Sequence, residues 1–77
     1  MQEEYENLAN AIVVRAVKDY RKALLYLARH PERWEYWERV RELESFFRSE
    51  WLCMLTDLDG TWIMKKVSAE VKSEVSV

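Results

Sequence analysis

The sequence predicts an all-α fold: a long antiparallel helical hairpin plus a shorter third helix, one domain over residues 1–77, shared between copies in an oligomer. Three observations carry this. One Gly and one Pro in 77 residues are too few turn formers for a sandwich or barrel. Apolar residues recur at helical spacing over long stretches. Ten aromatic side chains (four Trp, four Tyr, two Phe) are more than so small a domain hides, since it buries only about 60% of the surface of its unfolded chain.

The first helix is expected over residues 4–29. At 100° per residue, Tyr5, Ala9, Ile12, Val13, Ala16, Val17, Tyr20, Ala23, Leu24 and Leu27 fall in one arc of roughly 140°. Ala9, Ala16 and Ala23 repeat every seven residues, a spacing of small side chains that lets another helix approach closely. Pro31 lacks the N–H that an interior helical bond needs but suits a first turn, so His30-Pro31 is a corner and a second helix is expected over residues 31–55. Its core arc is Tyr36, Trp37, Val40, Leu43, Phe47, Trp51, Met54 and Leu55. Two such helices, each about 38 Å long, joined by a short corner make an antiparallel hairpin. Asp57-Leu58-Asp59-Gly60 breaks the pattern, with Asp59 as N-cap and Gly60 freeing the backbone for the turn. The third helix follows over residues 60–74 with Ile63, Met64, Val67 and Val71 on one face, and Ser73, Ser76 and Val77 are expected to fray.

Trp34, Phe46, Leu52 and Trp62 point away from the face that packs the hairpin. Full burial of an aromatic ring is worth about 2–3 kcal/mol. An oligomer interface built from Trp34, Trp37, Glu44, Phe46, Phe47, Trp51 and Trp62 is therefore expected, the alternative being a third helix folded back over the exposed rings of its own chain. Glu44 falls inside the apolar arc, with Arg41 three residues before it and Arg48 four after, and reads as an ion cluster at the core margin or a polar element of the interface.

The net charge of -2 is unevenly spread. Residues 1–11 carry three Glu and no cation, whereas residues 15–29 carry Arg15, Lys18, Arg21, Lys22 and Arg29 against Asp19 alone. A basic helix on a weakly acidic protein argues against duplex DNA, whose phosphates need many unopposed cations, and leaves a compact anionic ligand or an acidic protein patch. Arg15, Lys18, Lys22 and Arg29 fall within roughly 60° of one another opposite the core arc. In an oligomer two such stripes can face each other across a cleft, with cations on phosphate and Tyr20, Tyr26, Trp34 or Tyr36 stacking a base. The competing reading is a solvated face that keeps a small protein soluble.

Asp57-Leu58-Asp59-Gly60-Thr61 resembles the first motif of the haloacid dehalogenase phosphatases, whose two Asp residues serve as nucleophile and general acid/base around Mg2+. That chemistry needs a parallel sheet, and only 16 residues follow Thr61, so the cap is the better reading. A calcium loop fails as well, because Trp62 stands where Gly is required. His30 has no Ser or Cys partner at a motif spacing, and Cys53 reads as a small buried hydrophobe. With no metal cluster, phosphate loop or triad in view, no enzyme activity, cofactor or metal is expected. One Cys makes no internal disulfide, which fits a reducing compartment. The acidic start is unlike a signal peptide, and the longest uncharged stretches, such as residues 8–14, fall short of the roughly 20 residues of a membrane span.

Four strings, Asn10-Ala11-Ile12-Val13, Asp19-Tyr20-Arg21-Lys22-Ala23-Leu24, Glu44-Ser45-Phe46-Phe47-Arg48-Ser49 and Leu55-Thr56-Asp57-Leu58-Asp59-Gly60, together resemble a group of short proteins encoded in phages and mobile elements of Gram-positive bacteria. The resemblance covers roughly residues 5–66. It implies a phage accessory protein in bacterial cytoplasm that counters host defence, and it transfers no catalytic residue. Such proteins act either as oligomeric sponges for nucleotide signals or as direct protein inhibitors in the manner of anti-CRISPR proteins. The first expectation is a sponge that binds a small nucleotide through Arg15, Lys18, Tyr20, Lys22 and Arg29. The alternatives are an inhibitor of a host defence or replication protein, and a small nucleic-acid-binding regulator.

Overall fold

A computed structural model describes residues 2–75, with side chains from residue 8 onward, so Tyr5's side chain and the expected fraying of Ser76 and Val77 lie outside the described residues. It contains four helices and no strand among these residues: α1 (Gln2–Arg29), α2 (Trp34–Arg48), α3 (Glu50–Leu55) and α4 (Gly60–Val75). Twenty-eight residues of α1 at 1.5 Å each give about 42 Å. The molecule measures 44 × 25 × 18 Å, so α1 is its spine and the other helices pack along it. Ser73, expected to fray, lies within α4.

The second predicted helix is corrected at two places. Its start is delayed because residues 30–33 form a turn rather than a first helical turn. The His30 amide closes α1 on the Tyr26 carbonyl (2.9 Å), and the Arg33 amide bonds the His30 carbonyl (3.1 Å). Pro31 thus sits second in a four-residue turn, where its fixed φ is suited. The Trp37 indole N–H donates to the Pro31 carbonyl (2.9 Å) and ties the corner to α2.

The helix then breaks at Ser49, which is extended at φ -79° and ψ 161°. Its amide and its hydroxyl both donate to the Phe46 carbonyl, at 3.1 and 2.6 Å. Serine competes for backbone carbonyls in this way, which is why it interrupts helices readily. The extended residue shifts the phase of everything after it. Leu52, expected outside the core arc, is 1% exposed, whereas Trp51 and Met54, expected inside it, are 67% and 78% exposed. Trp37 and Ile12 are also exposed against expectation, and Cys53 lies on the surface rather than buried.

Asp59 caps α4 as expected: its Oδ1 accepts from the Thr61 amide (3.0 Å), and its carbonyl accepts the first helical bond, from Ile63 (3.0 Å). Gly60 has a different role from the expected one. No residue has positive φ among the described residues, so the turn does not use its left-handed freedom. Gly60 is buried, and a Cβ there would fall against the Phe47 carbonyl and 2.6 Å from Leu52 Cδ2. The missing side chain lets the start of α4 lie on the end of α2.

The core joins Val13, Ala16, Tyr20, Ala23 and Leu27 of α1 to Val40 and Phe47 of α2, Leu52 of α3, and Ile63, Met64, Val67 and Val71 of α4. The expected faces of α1 and α4 are therefore the packed ones. Contacts between α1 and α2 run in opposite chain order, with Tyr26 against Tyr36 near the corner and Tyr20 against Phe47 further away. The α4 helix folds back onto α1 of its own chain, where Arg21 pairs with both Glu70 (3.5 Å) and Glu74. The start of α4 lies against Leu52, which is buried, and Phe46 is half-buried, but Trp34 and Trp62 stay exposed. No described helix is long and apolar enough to cross a membrane.

Candidate functional site

Tyr20 lies at the crossing of α1, α2 and α4. Its ring meets Phe47 edge-on, with centroids 5.4 Å apart, and its hydroxyl donates to Glu44 Oε2 at 2.8 Å. At 1% exposure it offers no face to a ligand, so its expected stacking role is corrected to that of a core residue. Glu44 is likewise not the centre of an arginine cluster. Its hydrogen-bond partner is a phenol 24 residues away, and neither Arg41 nor Arg48 pairs with it among the described residues. Burial and then the Glu44 carboxylate raise the Tyr20 phenol above its ordinary value of 10.0, against weaker opposing effects of Ser68 and Arg48.

A raised folded-state value means that this contribution to stability is complete below pH 10 and is lost as pH rises through that value. Tyr20→Phe is expected to cost about 1–3 kcal/mol at neutral pH, because it strips a half-buried carboxylate of its donor. Absorbance at 295 nm, wild type minus variant, should place the missing phenol titration above pH 10. A step below pH 10 would contradict the buried pair.

The expected basic stripe is real but divided. Arg21 is held by α4, and Asp19 Oδ2 takes Arg39 Nη2 at 3.5 Å. Arg15, Lys18, Lys22 and Arg29 are exposed and carry no ion pair among the described residues. Fourteen residues of helix separate Arg15 from Arg29 by about 21 Å, so one small ligand does not touch both. Arg15, Lys18 and Lys22 border a shallow hollow with Ala11, Val14 and Asp19. Lys22 and Arg29 border another, of about 430 Å³, with Leu25, Tyr26, His30, Glu74 and Val75.

This second hollow has aromatic walls. Tyr26 stacks on Tyr36 (centroids 4.1 Å apart, planes 24° apart) and meets His30 at a tilt (4.6 Å, 35°). The spacing follows from the sequence, because Tyr26 and His30 are four apart along the chain, and the Pro31 turn returns Tyr36 against Tyr26. A neighbouring hollow of about 290 Å³ shares Lys22 and Tyr26 and adds Asp19, Tyr36 and Arg39. Sequence reasoning missed His30 and Arg39 here. The place of His30 at the corner is a signal for it, whereas Arg39 lies in the second turn of α2 and no motif marks it.

The expected interface residues divide as well. Phe47 is buried within the chain, so it is corrected to a core residue and is not open to a partner; Phe46 and Glu44 are half-buried. Trp34, Trp37, Trp51 and Trp62 are exposed. Trp62 carries Lys66 Nζ 5.4 Å from its ring centroid and, with Leu58, Val14 and Val17, lines an apolar groove of about 400 Å³ between α1 and α4. Among the described residues no group of three His, Cys, Asp or Glu converges as metal ligands, and the Asp59 carboxylate is engaged as a cap. No known protein family, curated protein or solved structure matches this chain.

Proposed function

We propose that this protein is a non-catalytic, phage-type accessory protein that counters host defence by holding a small anionic nucleotide at the aromatic and basic end of α1. One observation carries the reading: Lys22 and Arg29 flank the Tyr26 and His30 rings in a hollow of about 430 Å³, and Tyr36 stacks on Tyr26 from the adjoining hollow. A base laid on the exposed His30 ring extends the stack, and such stacking is worth about 1–3 kcal/mol per base. Its phosphate then meets Lys22 and Arg29, whose ammonium and guanidinium groups donate to phosphate oxygens. In this reading α1 and α2 act as a hairpin, and copies associate through the tryptophans that α4 leaves exposed, bringing basic ends or the Arg15 and Lys18 hollows together in host cytoplasm.

A second reading, inhibition of a host protein by direct contact, is favoured by the same exposed Trp34, Trp37, Trp51 and Trp62, since tryptophan is among the residues most enriched at the energetic centres of interfaces.

Thermal unfolding with a panel of cyclic mono- and dinucleotides separates them. Bound at tenfold over its Kd, the right nucleotide should raise Tm by roughly 5 °C or more. Lys22→Glu with Arg29→Glu should abolish that rise while leaving the unliganded Tm within about 3 °C, because both side chains are exposed and carry no ion pair among the described residues. A panel that leaves Tm unmoved, together with co-purification of one host protein, would favour the inhibitor.

A further inference from the structure

A second groove lies between α2 and α4, and it shares no lining residue with the hollows at the Tyr26 stack. It encloses about 390 Å³. Tyr20, Glu44 and Met64 form its floor, and the hydrogen bond between Tyr20 and Glu44 fixes that floor in place. Its α4 wall is a single stripe of Thr61, Lys65, Ser68 and Lys72, spaced i, i+4, i+7 and i+11. Hydroxyls and ammonium groups therefore alternate along one side. Arg48, from the last turn of α2, faces them.

Three cations and two hydroxyls meet one carboxylate here, on a chain whose net charge is -2. Solubility alone does not place them so, since the cations border a concave surface and not a convex one. Arg48 and Lys65 have no ion-pair partner among the described residues. Lys65 and Lys72 stand seven residues apart, about 10 Å along the helix, a span that matches a chain of two phosphates with a cation towards either end. The donors are of the kind that phosphate oxygens accept: ammonium, guanidinium and hydroxyl. Glu44, which accepts the Tyr20 hydroxyl, is the one carboxylate on the lining.

We propose that the α2/α4 groove binds the diphosphate portion of a small soluble molecule, with Arg48 and Lys65 as its principal contacts and Thr61 as a hydrogen-bond donor. This site is independent of the nucleotide reading at the Tyr26 stack.

Titration of the full chain with inorganic pyrophosphate, followed by amide NMR shifts, tests it. Shifts are expected to cluster at residues 48, 61, 65, 68 and 72. Arg48→Gln with Lys65→Gln should weaken binding at least tenfold, and inorganic monophosphate should bind at least tenfold more weakly than pyrophosphate. Lys22→Glu with Arg29→Glu should leave the pyrophosphate Kd within twofold, which keeps failure here distinct from failure at the Tyr26 stack. Small shifts spread over every Lys and Arg, an unchanged Kd in the Arg48 and Lys65 variant, or binding only to phosphatidylglycerol vesicles and not to pyrophosphate would each overturn the proposal.

Discussion

Gly60→Ala is expected to lower Tm by roughly 12–24 °C, measured by circular dichroism at 222 nm. In an ordinary helix the same change stabilises by about 1 kcal/mol, because alanine is the best helix former and glycine among the worst. Here the new methyl has no room. Its nearest neighbours are the carbonyl of Phe47, which is backbone at the end of α2, and the packed Leu52 side chain at 2.6 Å. Neither retreats without moving a helix. Overpacking of this kind costs about 3 kcal/mol, against a total stability of about 4–12 kcal/mol for a chain of this length. Each kcal/mol moves the Tm of so small a domain by about 4–8 °C. An unchanged or higher Tm would mean that α4 does not start against α2.

The second large effect is at Leu52. Leu52→Ala removes a side chain that is almost wholly enclosed between α1, α2 and the start of α4, and it should cost about 2–5 kcal/mol. Met54→Ala, two residues along the same short helix, should stay within about 0.5 kcal/mol, because that side chain lies in solvent. The contrast reads the phase of α3 directly. In an unbroken helix over residues 31–55 the order would reverse, with Met54 in the core arc and Leu52 outside it. Urea denaturation of the two variants decides between these arrangements, and a Met54→Ala penalty exceeding that of Leu52→Ala would contradict the break at Ser49.

The long helices are legible in the sequence because their apolar positions keep one period from end to end. In α1 the buried residues Val13, Ala16, Tyr20, Ala23 and Leu27 all lie in the expected arc, and all four expected residues of α4 are buried. The break at Ser49 is not legible, because a single serine in a helical run differs from its neighbours by only a few tenths of a kcal/mol in propensity. Its conformation is decided by tertiary packing, since the break is what turns Leu52 inward against the core. Gly60 stands out in the sequence but not its role, since a glycine that frees a turn and a glycine that admits a neighbouring carbonyl are identical there. Tyr20 satisfies two expectations at once, a core position and a neighbour of cations, and burial allows only the first. Glu44 shows its unusual place by falling in an apolar arc, but its partner lies on another helix, beyond the reach of spacing arguments along one helix. The Tyr26 stack needs the turn at residues 30–33 to bring Tyr36 back onto α1, and that geometry depends on where α2 begins.

The binding claim at the end of α1 is tested most directly by mapping amide shifts with the nucleotide that raises Tm most in the panel. The largest shifts are predicted at residues 22, 26, 29, 30, 36 and 39, around the rings and cations that line the two adjoining hollows. Shifts confined to the exposed tryptophans and their neighbours, with those six positions unmoved, would contradict it.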